Sequence, residues 1–208
     1  PGDAARRRCP LVRRAQVLAA WLALVGAGSG HAENHALLVG IGDYPNAPKL
    51  EGPAHDIAAL RATLLGQWGF AEERIVTLID QEATRARILA ELKRLKERTR
   101  AGDWVFLYFS GHGTSALDKN LSLSLPVNSG ALVPFDFAPP EEGSDEALLQ
   151  QLLVGRRDIR PILAELDQGE RKLLIAFDAC YSGNTVRALY RSALAGRPLP
   201  SRFVPLRS

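Results

Sequence analysis

The stretch Asp103-Trp104-Val105-Phe106-Leu107-Tyr108-Phe109-Ser110-Gly111-His112-Gly113 decides how the rest of the chain is read. Its first eight residues form a run of strand length, almost wholly aliphatic or aromatic, as expected for a strand covered on both faces. The run then stops in a Gly-His-Gly turn. A second stretch repeats the arrangement: Arg171–Ala179 (RKLLIAFDA) leads into Asp178-Ala179-Cys180-Tyr181-Ser182-Gly183. If the two runs are neighbouring parallel strands, both turns lie at one edge of a sheet. His112 and Cys180, 68 positions apart in the chain, then face each other across one crevice.

Working outward, the same grammar recurs. His35–Gly42 (HALLVGIG) and Arg74–Asp80 (RIVTLID) read as two further buried strands. Ile57, Leu60, Leu64 and Trp68 recur at helical spacing after Pro53, and Ile88, Leu89, Leu92 and Leu95 do so after Thr84, a residue suited to capping a helix. Arg98 and Arg100 near the end of that second helix, with Gly102 beyond, suit its negative end and a left-handed cap. A third helix is expected over Ile159–Leu166, closed by Gly169. Strands alternating with helices define an α/β protein, a three-layer sandwich around a mainly parallel sheet. The excursion between Thr114 and Gly155 is too long for a simple connection; Leu121–Leu125 and Ala131–Pro134 suggest a small hairpin there. Long loops at the carboxyl ends of parallel strands are where such folds place their sites.

The chemistry expected at that edge is nucleophilic. A thiolate is a strong nucleophile near neutral pH, and an adjacent imidazole can take the thiol proton and later give it to a leaving amine. The amides of Gly113 and Cys180 could face a carbonyl oxygen as it turns tetrahedral, forming an oxyanion hole. The plainer readings are a buried inert thiol and a histidine that merely fills a turn. A phosphate-binding reading fails, because Gly40-Ile41-Gly42-Asp43 runs into Tyr44-Pro45 and not into a helix.

Composition sets the remaining bounds. The chain has 208 residues, 46% hydrophobic and 24% charged, which excludes disorder and a multi-span membrane protein. Two cysteines make no disulfide scaffold, and no Cys/His set has zinc-finger spacing, so a hydrophobic core must hold the fold. The net charge of +3 conceals an uneven distribution: residues 1–32 carry +4, residues 185–208 carry +5 and residues 33–184 carry −6. An acidic body argues against a nucleic-acid partner. Residues 1–32 read as a signal peptide: Arg6, Arg7, Arg8, Arg13 and Arg14 precede the apolar run Val17–Val25, and Gly30-His31-Ala32 offers small residues for cleavage after Ala32. The run falls short of the ~20 apolar residues of a membrane span. The expectation is an exported protein, periplasmic or secreted, with no membrane association after cleavage. Cys9 would leave with the signal and Cys180 would be the one thiol kept. Residues 33–184 form the expected catalytic domain, and residues 185–208 a basic linker or tail.

FSGHG (109–113) and DACYSG (178–183) together resemble the histidine and cysteine motifs of caspase-like cysteine peptidases, more closely those of metacaspases and paracaspases than those of true caspases. The resemblance covers about residues 35–184 and includes ALLVGIGDY (36–44), AHDIAALRATLL (54–65) and ALVPFDF (131–137). It implies the caspase–haemoglobinase α/β/α fold, His112 as general acid/base and Cys180 as nucleophile. It also implies an acidic specificity pocket, with Asp178 where true caspases have Gln, and with Asp56 as a second carboxylate. Two carboxylates would demand a cation, so the implied substrate is a protein or peptide cut after Arg or Lys. For Asp56 the alternative is a plain acid in a first helical turn, and for Asp178 a strand-end turn residue. Many metacaspases need calcium. Asp136 and Asp145 could belong to such a site, but Arg187 stands seven positions after the nucleophile, and no calcium dependence or other cofactor is inferred. The family domain continues into a small subunit supplying two more strands and one wall of the pocket, whereas this sequence stops at Ser208. A fragment and a reduced variant with a partner both fit.

Overall fold

The computed structural model describes residues 31–115, 129–138 and 145–179. The chain divides into two units, Pro1–His31 and Ala32–Ser208, and every described element belongs to the second. Residues 1–30 of the expected signal peptide, the Leu121–Leu125 run and everything from Cys180 onward lie outside the described residues.

Four strands form the central sheet: β1 (Asn34–Gly40), β2 (Ile75–Ile79), β3 (Trp104–Ser110) and β7 (Lys172–Asp178). Their order is β2-β1-β3-β7 and all pairs are parallel. Helices α1 (Pro53–Gly66), α2 (Arg85–Arg98) and α4 (Arg160–Gln168) connect them. The period-two alternation of a strand sends neighbouring residues to opposite faces, and the core divides accordingly. On one face Ala36, Leu38 and Phe106 meet Ile57 and Leu64 of α1. On the other, Leu37, Val39, Val105, Leu107 and Phe109 share a core with Ile88, Leu92 and Leu95 of α2 and Leu163 and Leu166 of α4. This is the three-layer α/β/α arrangement the alternation predicts.

Local chemistry explains the helix ends. Pro53 opens α1, where its missing N–H costs no hydrogen bond. Thr84 caps α2, its Oγ1 accepting from the Arg87 amide at 3.3 Å. Asp136 Oδ1 accepts from the Arg85 amide at 2.8 Å, so this carboxylate is spent on the start of α2. The α2 stop differs from expectation. Thr99 is extended and bonds back to the Leu95 carbonyl, while Gly102, with φ +88°, serves the turn into β3 instead of capping the helix. Trp68 likewise lies beyond α1 and is 49% exposed, because the helix stops at Gly66 before its apolar spacing is complete.

A second, antiparallel sheet is built within the long excursion from β4 (Gly113–Ser115), β5 (Gly130–Leu132) and β6 (Leu153–Val154), in the order β4-β5-β6. Helix α3 (Asp145–Gln151) precedes β6, and a five-residue π-helical turn, Gly155–Ile159, leads into α4. The expected run Ala131–Pro134 overlaps β5, but its partners are β4 and β6. The sequence reading of β7 as covered on both faces is corrected by the structure. Its residues alternate between exposed and half-buried, with Leu174 41% exposed, because among the described residues β7 has a neighbour only in β3 and no helix over its Lys172–Leu174–Ala176 face.

Candidate active site

The site is assembled at the carboxyl end of the central sheet, starting from the end of β1. Gly42 lets the chain fold sharply: a Cβ there would lie 2.5 Å from the Leu50 carbonyl oxygen. The Leu50 amide bonds to the Gly42 carbonyl at 2.9 Å, which closes residues 43–49 into a loop over the sheet edge. Asp80, at the end of β2, fixes the start of that loop. Its Oδ1 accepts from the amides of Gly42 (2.8 Å) and Asp43 (2.9 Å), and its own backbone is held at φ +46° to do so. The loop delivers two groups to His112, the Tyr44 hydroxyl and the Pro48 carbonyl.

His112 is 2% exposed. Its Nε2 lies 2.7 Å from the Pro48 carbonyl oxygen. A carbonyl only accepts, so Nε2 carries the hydrogen and, in the neutral ring, Nδ1 carries the lone pair. Nδ1 is buried and, among the described residues, has no hydrogen-bond partner. The Pro48 contact thus holds the neutral ring as one tautomer, with the lone pair on Nδ1. The Tyr44 ring packs against it at 4.9 Å between centroids.

The Tyr44 hydroxyl also completes the backbone. It accepts from the His112 amide at 3.0 Å and donates to the Val133 carbonyl at 3.0 Å, while the Val133 amide bonds directly to the His112 carbonyl. One rung of the ladder beside β4 and β5 is therefore bridged by a side chain. Burial raises the Tyr44 phenol far above its ordinary pKa, so the hydroxyl keeps the proton it donates. Gly111 makes room for it, since a Cβ at that position would sit 2.6 Å from the Tyr44 oxygen. Gly113 pairs with Leu132 in the next position of the antiparallel ladder. Hydrogen-bonded and non-bonded pairs alternate there, which turns the Gly113 N–H away from β5.

The two sequence-predicted carboxylates are brought to one face. Ser110 and Asp178 are register partners across β3 and β7, and partners in a parallel pair project to the same face. Ser110 Oγ donates to Asp56 Oδ2 of α1 at 3.2 Å. Asp56 is half-buried and Asp178 exposed, and the Asp178 carbonyl accepts from the Gly111 amide at 3.2 Å. Cys180 itself lies outside the described residues. The register nevertheless fixes a correspondence in the chain: His112 stands two positions beyond Ser110, and Cys180 two positions beyond its partner Asp178. Of the two acids considered for calcium, Asp136 serves the α2 start, and the side chain of Asp145 is outside the described residues. Tyr44, Pro48 and Asp80 carry no expected role in the sequence; the one signal for them is the Gly-Ile-Gly-Asp-Tyr-Pro break directly after β1.

The mainly parallel sheet with helices on both faces is that of a caspase-like α/β fold, and in the chain His112 and Cys180 stand at matching places after two neighbouring strands. Residues 34–188 match the model of the metacaspase, peptidase C14 domain, and the chain belongs to that family. It is 31% identical to Metacaspase-9 of Arabidopsis thaliana over 160 residues, covering 73% of this chain and 44% of that protein. With Metacaspase-1 of Plasmodium falciparum it shares 30% identity over 173 residues, 79% of this chain and 26% of the relative. The chain thus spans less than half the length of these curated relatives. Among solved structures, protein GSU0716 from Geobacter sulfurreducens is similar with a TM-score of 0.51 and 22% identity, over 71% of this chain and 50% of that one, a likeness of fold.

Proposed function

We propose that the chain carries the catalytic machinery of a cysteine endopeptidase that cuts after Arg or Lys through a Cys180–His112 dyad. The observation that carries this reading is the state of His112: Nε2 is committed to the Pro48 carbonyl, and Nδ1 is buried with no hydrogen-bond partner among the described residues. In the proposed reaction Nδ1 takes the Cys180 thiol proton and the thiolate attacks the scissile carbonyl carbon. The carbonyl oxygen becomes an oxyanion facing the amides of Gly113 and Cys180. The Nδ1 proton then passes to the amine nitrogen as the C–N bond breaks. A water, deprotonated by the same nitrogen, hydrolyses the thioester and restores the thiol.

The preference for a basic residue rests on Asp56 and Asp178. Ser110 stands between them, bonded to one and register-paired with the other, and a guanidinium can meet a carboxylate bidentately. The family name of the relatives supports a protein substrate, and the acidic body of residues 33–184 argues against nucleic acid. Export stays a proposal founded on the basic and apolar pattern of residues 6–32; among the described residues no helix is long and apolar enough to cross a membrane. The rival reading, a caspase-like interaction domain without catalysis, leaves the locked tautomer without a purpose.

The test is turnover of matched reporter peptides ending in Arg, Lys or Asp before the cleaved bond. The proposal expects cleavage of the first two, none of the third, and loss of most Arg turnover in Asp178→Asn. Equal turnover of Arg and Asp peptides would remove Asp56 and Asp178 from the site, and no turnover of any would favour the interaction domain.

A further inference from the structure

At the opposite end of the sheet from His112, three potential ligands converge where β1 and β3 begin. Glu33 precedes β1, His35 is its second residue and Asp103 precedes β3. One donor atom from each lies within 4.8 Å of the other two. His35 Nε2 is 3.6 Å from Glu33 Oε2, close to the about 3.4 Å expected between two ligands of a tetrahedral zinc with metal–ligand distances near 2.1 Å. Three acids and bases in proximity are common without any ion. The second observation is the histidine itself: its side chain is 7% exposed, its Nε2 is buried, and among the described residues that nitrogen has no hydrogen-bond partner although it lies 3.6 Å from a carboxylate oxygen.

The neighbouring cations leave this donor set open. Arg74 holds Glu33 through Oε1 at 2.7 Å, and Arg100 approaches the same oxygen at 4.0 Å, so Oε2 is left to face His35. Asp103 accepts one backbone amide on each oxygen, from Glu33 on Oδ1 and Arg100 on Oδ2, with the Arg100 guanidinium 4.0 Å away. Each carboxylate oxygen has a second lone pair. Burial lowers the His35 pKa, with Arg74 and Arg98 acting in the same direction against Asp103 and Glu33. Burial thus favours the uncharged ring, the form that ligates.

We propose that Glu33, His35 and Asp103 form a three-ligand site for a divalent transition-metal ion, which ties the first residues of β1 to the start of β3. One nitrogen and two carboxylate oxygens suit zinc and its neighbours better than the all-oxygen shells of calcium or magnesium. The site is distant from the peptidase crevice. Strands of seven residues at about 3.3 Å each separate the two by about 20 Å, so its effect is on folding and not on the reacting atoms.

The test is equilibrium dialysis of the whole chain against zinc chloride, in a background with Cys9→Ser and Cys180→Ala so that thiols do not bind the ion. The parent should retain one zinc more than His35→Gln, and Glu33→Gln should lose the same zinc. Zinc should also raise the melting temperature of the parent and not of the two variants, as expected for a ligand that binds only the folded state. If His35→Gln does not fold, Glu33→Gln decides alone. Equal zinc content and equal thermal shifts in parent and Glu33→Gln would overturn the proposal, as would a parent that retains no zinc.

Discussion

The Tyr44 hydroxyl stands where a backbone bond from His112 to Val133 would otherwise close the ladder, and Tyr44 touches both the backbone and the ring of the candidate base. Tyr44→Phe would leave a buried donor and a buried acceptor unpaired, at about 1–3 kcal/mol each. The expected outcome is a lower melting temperature together with a fall in kcat/KM on an Arg peptide approaching ~100-fold, the scale of a misplaced catalytic group. Unchanged turnover with lowered stability would confine Tyr44 to a structural part. Gly111→Ala tests the same junction from the other side, since its methyl group would displace the hydroxyl from 2.6 Å. It should reproduce the Tyr44→Phe phenotype, and the double variant should be little worse than either single one, because both remove one interaction.

Among the elements, the loop after β1 and the strand β7 supply the described residues of the candidate site beside β3. Asp80 holds the loop by two amides, so Asp80→Ala should loosen Tyr44 and Pro48 together and lower kcat/KM with the central sheet intact; unaltered kinetics would mean that Leu50 and Gly42 suffice. The parallel sheet and helices α1, α2 and α4 were readable in the sequence, because runs such as DWVFLYFS and the Ile88–Leu92–Leu95 spacing report burial directly. The place of His112 directly after β3 was readable too, from its Gly-His-Gly setting. Of the small antiparallel sheet the Ala131–Pro134 run alone was readable, since strands of two or three residues, such as Leu153–Val154, are too short to show a period. Tyr44 and Pro48 escaped for a different reason. Their contribution is one hydroxyl and one carbonyl brought 68 and 64 positions along the chain to His112, and no local pattern encodes such a contact. The exposed Lys172–Leu174–Ala176 face of β7 also departs from the sequence reading, because an aliphatic run signals what a strand is made of and not what lies over it.

At the scale of the whole molecule, an acidic body carrying −6 is joined to residues 185–208 carrying +5, and that tail contains Arg191, Arg197 and Arg202. A peptidase selective for basic residues and tethered to such a segment meets it at high effective concentration. Mass spectrometry of the active protein beside Cys180→Ala should find new ends after one or more of these arginines only in the active form; an active protein that stays uncut would show that self-cleavage is not required. The measurement that bears most directly on the central claim is the hydrolysis of an Arg reporter peptide by the chain, by Cys180→Ala, by His112→Ala and by the double variant, each with its fold checked by thermal melting. Groups acting as one unit are strongly non-additive. Each single variant should keep a folded core and lose at least ~10³-fold in kcat, with the double variant no worse. A folded Cys180→Ala protein that still cuts the peptide at the parent rate would contradict that claim.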